Sequence, residues 1–189
     1  MTAPMHSLIL GGQKSGKSRL AEQRAAAWLA AAPGHRATLL ATAEAGDAEM
    51  AARIARHQAD RTARVPGLAT LEVPLHLAAA IARHSTPGHL LVVDCLTLWL
   101  TQRLMPLQGP GLDDAGLAAE TANLLAALQQ AGGPVLWVSN EIGLGVSPLG
   151  REVRRFLDAL GLLHQQIAAR CGQVQLMVAG CPLLVKGPP

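Results

Sequence analysis

Gly11-Gly12-Gln13-Lys14-Ser15-Gly16-Lys17-Ser18 has the spacing Gly-x4-Gly-Lys-Ser, and its reading decides the fold. The apolar run Leu8-Ile9-Leu10 precedes it, and the helix-forming Arg19-Leu20-Ala21-Glu22 follows. Strand, Gly-rich turn and helix in that order form a phosphate-binding loop. The backbone N–H groups of such a loop point inward around a β-phosphate, and the helix N-terminus favours negative charge there. Lys17 is then placed to reach the β- and γ-oxygens, and the Ser18 hydroxyl to ligate Mg2+. A chance Gly-rich turn that happens to hold Lys and Ser would lack this strand–helix setting. The chain is expected to bind a nucleoside triphosphate.

Working outward, 189 residues suit one domain with a substantial core. Apolar runs alternate with helical patterns, which predicts an α/β fold with a mostly parallel sheet flanked by helices. Strands are expected at residues 7–10, 37–42, 70–73, 89–94, 134–139 and 174–178, with a short tail running on through Lys186. Helices are expected from Lys17 to about Ala32, from Asp47 as cap to about Asp60, and from Pro74 to about His84. The segment 96–130 reads as mostly helical with a loop at 106–111, and a last helix covers about 149–171.

Composition narrows the partners. The net charge of +3 is mild, with Lys and Arg scattered, so a small anionic substrate fits as well as nucleic acid. One Phe, three Trp and no Tyr leave little on which to stack bases, which argues against nucleic acid. Cys95, Cys171 and Cys181 lack C-x-x-C spacing and are odd in number, which predicts reduced thiols without a disulfide or zinc site. The N-terminus is short and polar, and no apolar run approaches the roughly 18–20 residues of a membrane span. A soluble, cytoplasmic protein is expected.

Three stretches besides the loop carry candidate chemistry. Asp94 ends the apolar run 89–93, where a buried strand would present a Mg2+-directed carboxylate at the carboxyl edge of the sheet. A helix cap is the other reading of Asp94. Glu49, Arg53, His57 and Arg61 recur at every fourth position and share one helical stripe. Arg53 and Arg61, one turn either side, would favour a neutral, nucleophilic His57 and could hold triphosphate oxygens. A solvated, salt-bridged face fits the same pattern. Ser139-Asn140-Glu141-Ile142-Gly143-Leu144-Gly145-Val146-Ser147-Pro148 leaves a buried strand at the edge of the first one, where a Gly-rich loop can close over a ligand or cap the next helix. His6, in a tail, His35 and His89, in turns, and His76, His84 and His164, on helices, lack metal-ligand spacing and read as structural or solvated.

Taken together, these stretches resemble the bifunctional adenosylcobinamide kinase/adenosylcobinamide-phosphate guanylyltransferase family of cobalamin biosynthesis. The motifs are GGQKSGKSRLAE at 11–22, ATAE at 41–44, DAEMAARIARH at 47–57 and T-x-E-x-P at 70–74. They continue with DCLTLWL at 94–100, SNEIGLGVSP at 139–148, RRF at 154–156 and AGCPLLVK at 179–186. The resemblance implies a RecA-like P-loop NTPase fold, a homotrimer, phosphorylation of adenosylcobinamide by ATP or GTP, and transfer of GMP from GTP through a guanylylated histidine. His57 matches that histidine, with Lys17 as the other catalytic residue. Nucleotide contacts map to the loop from Gly11 to Ser18, to Thr42 and Ala43, to Gln58 just after the histidine, and to Glu72 and Asp94. Arg53 and Arg61 join them from the basic stripe, and Ser18 and Asp94 are the expected Mg2+ ligands. The chain departs from the family pattern at Arg61-Thr62, where Arg-Pro is usual, and at Leu68, where tryptophan is usual. It departs again at Leu149-Gly150, in place of an acidic pair, and at His164-Gln165, in place of Asn-Gln. Two other readings use the same loop: a kinase without guanylyltransfer, and a RecA-like regulatory ATPase.

Overall fold

Alternation inside the apolar strands sorts the core into two layers. In the strand His89–Asp94, Leu91 and Val93 join one buried cluster, and Leu90 and Val92 join the other. The strand Val135–Asn140 divides in the same way, Trp137 to the first cluster and Leu136 and Val138 to the second. A strand that is apolar on both faces is stable only with helices on both sides. The computed structural model, which describes residues 5–46 and 48–188, supplies them.

In chain order the elements are β1 (Ser7–Gly11), α1 (Lys17–Ala31), β2 (Arg36–Ala41), α2 (Ala48–Arg64), β3 (Leu68–Glu72), α3 (Leu77–His84) and β4 (His89–Asp94). They continue as α4 (Leu96–Leu104), α5 (Asp114–Gln129), β5 (Val135–Asn140), α6 (Arg151–Arg170), β6 (Gln173–Val178) and β7 (Cys181–Lys186). The seven-stranded sheet has the order β3-β2-β4-β5-β1-β6-β7. All neighbours pair in parallel except β6 and β7. Helix α1 covers one face through Ala21 and Ala25, while α3, α4, α5 and α6 cover the other around Trp99, Leu128 and Leu163. Among the described residues no helix is long and apolar enough to cross a membrane, and the three cysteines are free.

Several local features differ from the sequence expectation. Helix α3 starts at Leu77 rather than Pro74, because the Leu75 carbonyl is turned aside to accept the indole N–H of buried Trp99 at 3.1 Å. The break before α5 runs on to Asp113, whose carboxylate caps the helix by accepting from the Gly116 N–H at 2.8 Å. The tail is a strand: Ala179 and Gly180, with φ of 51° and 82°, form the two-residue turn that folds β7 antiparallel onto β6. His6, expected in a tail, is buried and accepts the Val135 N–H at 3.1 Å. The expected helix cap Asp47 lies outside the described residues.

Helix α2 runs past Asp60 because its last turns find partners. Arg61 and Arg64 reach the Glu22 carboxylate of α1 at 3.7 and 3.1 Å, and the side chains of Glu22 and Arg61 are 7% and 11% exposed. Removing one member of a buried pair leaves the other charge uncompensated. Glu22→Ala is therefore expected to lower unfolding stability by about 3 kcal/mol, and Arg64→Ala, at a half-exposed position, by about 1 kcal/mol or less. Urea titration measures both, and equal losses would contradict the assignment.

The buried imidazoles make the fold acid-sensitive. Burial is the main cause that lowers the pKa of His6, His89 and His164. A histidine held below its unfolded value binds fewer protons when folded, so its contribution is complete above about pH 6.5 and is lost as pH falls through the folded value. The melting temperature is expected to hold between pH 8 and 7 and to fall towards pH 5. His6→Gln, which keeps an acceptor for the Val135 N–H, is expected to flatten part of that fall.

Candidate active site

The phosphate loop, Thr42, Glu72 and Asp94 start from strand ends at the carboxyl edge of the sheet, while Gln58 and Arg61 belong to the body of α2. Gly11 closes β1 with φ 154°, and a Cβ there would stand 2.6 Å from both the Met177 carbonyl and the Ser15 hydroxyl. Gly16 caps α1 with φ 102°, a conformation that glycine adopts without strain, and its carbonyl accepts the Leu20 N–H at 3.0 Å. The β6–β7 turn braces the loop from outside, the Gly180 N–H donating to the Ser15 carbonyl at 3.0 Å. The sequence carries little sign of this brace, because Ala179-Gly180 is not one of the Asn-Gly, Asp-Gly or Gly-led pairs that mark a two-residue hairpin.

Within the loop, the Lys17 ammonium donates to the Gly12 carbonyl at 2.6 Å. Lys17 is buried, which lowers its pKa, and the nearby Asp94 carboxylate opposes that shift. The Ser15 hydroxyl is buried without a protein partner. An orphaned hydroxyl and a buried ammonium in one glycine-rich turn are what a phosphate oxygen would satisfy.

Asp94 ends β4, one strand removed from β1, with β5 between them. Thr42, fully buried, holds that strand end. Its hydroxyl donates to the Cys95 carbonyl and accepts the Cys95 N–H, both at 2.7 Å, and its own N–H donates to the Asp94 carbonyl at 3.1 Å. Thr42 therefore shapes the backbone around Asp94, beside half-buried Ala43. The Ser18 hydroxyl and the Asp94 carboxylate are hard oxygen donors of the kind Mg2+ takes together with phosphate oxygens and water, and Lys17, next to Ser18, senses the Asp94 charge. The donor set fits Mg2+.

On α2, Gln58 donates to the Glu72 carboxylate at 3.2 Å, which joins two expected nucleotide residues where β3 ends. Arg61 is buried, paired with Glu22 and 3.5 Å from the Thr70 hydroxyl. Residues Ala48, Glu49, Ala51, Ala52, Ala55 and Arg56 are exposed, so much of the helix before Gln58 faces solvent. Arg53 and His57 are helical in backbone, and their side chains lie outside those described.

The loop after β5 sits against the phosphate loop, the Glu141 N–H donating to the Gly11 carbonyl at 3.0 Å. Between them a cavity of about 380 Å³ is lined by Gly12, Lys14, Ser15, Glu141 and Leu144. Behind the loop, His164 of α6 is buried, its Nε2 2.7 Å from the Ser139 hydroxyl and its Nδ1 3.8 Å from the Glu141 carboxylate. The histidine pattern of the sequence offered no sign of this contact, because its partners lie 25 and 23 residues away in the chain. A larger cavity, about 640 Å³, lies between α5 and α6 and holds none of the expected nucleotide residues.

Comparison with known proteins points to the same chemistry. Residues 7–185 match the family described as cobinamide kinase / cobinamide phosphate guanyltransferase. The bifunctional adenosylcobalamin biosynthesis protein CobP of Pseudomonas aeruginosa is 49% identical over 185 residues, covering 98% of this chain and 99% of the relative. The bifunctional adenosylcobalamin biosynthesis protein CobU of Escherichia coli K12 is 33% identical, covering 96% and 100%. Among solved structures, the flagellar accessory protein FlaH of Methanocaldococcus jannaschii aligns over 97% of this chain and 78% of its own, with a TM-score of 0.50 at 10% identity. That likeness concerns the fold alone, which is a RecA-like P-loop NTPase fold.

Proposed function

This chain belongs to the cobinamide kinase / cobinamide phosphate guanyltransferase family, and on that footing we propose how its residues divide the two reactions. The protein is a bifunctional enzyme of cobalamin biosynthesis. It phosphorylates adenosylcobinamide with ATP or GTP, then transfers GMP from GTP to adenosylcobinamide phosphate, giving adenosylcobinamide-GDP. The observation that carries the reading is the braced phosphate loop, with Lys17 buried in it and Asp94 facing it from β4.

In the kinase step the substrate hydroxyl oxygen attacks the γ-phosphorus, the bond to the β-phosphate oxygen breaks, and the hydroxyl proton is lost. Such transfers need positioning and charge stabilisation more than covalent help from the protein. Loop N–H groups and Lys17 hold the β- and γ-oxygens, with the Ser15 hydroxyl available to an oxygen it now lacks. Ser18 and Asp94 would hold Mg2+, which supplies charge neutralisation at the phosphates.

In the second reaction a neutral His57 nitrogen attacks the α-phosphorus of GTP, and pyrophosphate leaves with the electrons of the broken P–O bond. A phosphate oxygen of adenosylcobinamide phosphate then attacks the same phosphorus, and the P–N bond breaks to restore the imidazole. Gln58 and Glu72, joined at the edge of β3, lie next along the chain and contribute nucleotide contacts, as does Arg53. The proposal places the enzyme in the cytoplasm as a homotrimer. In its support, exposed Leu183 and Val185 on edge strand β7 and Val146 and Leu149 before α6 offer apolar surface for an interface.

The test is product analysis by chromatography and mass spectrometry. Adenosylcobinamide with ATP or GTP is expected to give the phosphate ester, and with GTP also adenosylcobinamide-GDP. The ester alone would leave a kinase; nucleotide hydrolysis with neither product would leave an ATPase.

A further inference from the structure

Ser139, His164 and Glu141 stand in the order of a catalytic triad, yet Ser139 is fully buried and so is no nucleophile. What the trio does follows from counting hydrogens. The Asn140 N–H donates to the Thr97 hydroxyl oxygen at 2.8 Å, Thr97 lies 3.0 Å from the Ser139 hydroxyl, and Ser139 lies 2.7 Å from His164 Nε2. One arrangement uses every hydrogen: Thr97 donates to Ser139, Ser139 donates to Nε2, and the Nδ1–H faces the Glu141 carboxylate. The other Glu141 oxygen accepts the Gly143 N–H at 2.8 Å, while the Glu141 N–H is held by Gly11 of the phosphate loop. Helix α4, strand β5, helix α6 and the loop beside the nucleotide cavity are thus joined in one line.

We propose that His164 is a positioning residue whose protonation state reverses this hydrogen-bond line and so sets how residues 141–148 lie against the phosphate loop. This rests on the reading of that loop as the nucleotide site. When His164 gains a proton, Nε2 becomes a donor and Ser139 must turn its hydrogen to Thr97. The Thr97 hydroxyl, which is buried, must then turn to the Cys95 sulfur, a weak acceptor. At the same time the imidazolium attracts Glu141, now 3.8 Å away, off the Gly143 N–H. Glu141 is the one charged side chain within ion-pair distance of His164 among the described residues. Strand β5 presents the Ser139 hydroxyl, and α4 presents the Thr97 hydroxyl with the buried Cys95 thiol beside it, whose pKa burial raises to about 11 and which so stays neutral. Burial favours the neutral ring and Glu141 partly offsets it, so the line holds its present polarity at neutral pH and reverses on acidification.

The experiment is an NMR titration of the whole protein from pH 8 to 5, with no nucleotide, paired with calorimetry of a non-hydrolysable GTP analogue. The Gly143 amide resonance is expected to move with the same midpoint as the His164 ring. Glu141→Gln, at a surface-accessible position, is expected to shift the ring's midpoint to lower pH. Analogue affinity is expected to weaken on acidification in the wild type more than in His164→Asn, which keeps a polar side chain that does not titrate. A Gly143 resonance that stays flat while His164 titrates, a midpoint indifferent to Glu141→Gln, or equal pH dependence of affinity in wild type and His164→Asn would each overturn the proposal. An analogue that binds at no pH would remove the nucleotide reading, and the substrate-free titration would still decide the hydrogen-bond line.

Discussion

His57→Ala is expected to abolish covalent labelling of the protein by GTP carrying the label at its α-phosphate, and with it all adenosylcobinamide-GDP. The proposed adduct has a P–N bond, so label on the wild type should be released by acid and survive alkali. In the proposed two-step displacement GMP is joined to the imidazole, so its loss removes the covalent route. The kinase step uses the phosphate loop and is expected to survive, because the body of the protein engages α2 through Gln58, Arg61 and Arg64. Label that persists in the variant, or that is absent from the wild type, would remove guanylyltransfer from His57. Gln58 meets Glu72 where β3 ends, so the preceding residue, His57, starts from the same edge of the sheet as the phosphate loop.

Lys17→Ala is expected to cut phosphoryl transfer by about 10²–10³-fold, the usual cost of losing one donor aimed at developing charge in a closed site. Lys17→Arg is expected to recover little. The ammonium sits 2.6 Å from the Gly12 carbonyl in a buried turn, and a planar guanidinium is too broad to take the same place. Guanylylation should fall as well if, as proposed, one loop holds the β-phosphate during attack at either the γ- or the α-phosphorus. Single-turnover assays of both steps check this. A Lys17→Ala variant that phosphorylates at the wild-type rate would end the role given to the loop. Its fold is expected to stay intact, because Gly11, Gly16 and the Gly180 brace shape the loop through backbone contacts.

The phosphate loop was legible because its chemistry is local: eight consecutive residues encode the turn, the donors and the helix start. The strands were legible for a similar reason, since runs such as Leu90–Val93 show their burial in their composition. Arg61 has a structural partner that its sequence neighbours do not show. Its place on a charged stripe suggested phosphate binding, and the carboxylate it pairs with, Glu22, lies on a different helix and 39 positions earlier. His164 reads as structural or solvated because it has no partner nearby in sequence, and its neighbours are spatial.

By itself the sequence determined that a Gly-x4-Gly-Lys-Ser turn joins a strand to the start of α1, that the sheet is largely parallel, and which family's motifs the chain carries. Each of these rests on contiguous residues or short periodicities, which steric and hydrogen-bonding rules translate directly into local structure. The tertiary structure alone decided that β5 lies between β1 and β4, that the tail returns as β7 to brace the phosphate loop, and that Thr42 is spent on the backbone beside Asp94. Those outcomes depend on which distant strands pair, a choice made by the burial of both sheet faces at once. The loop between Gly11 and Ser18 therefore carries its chemistry in its own residues, and its outer brace in Gly180, 165 positions beyond Ser15.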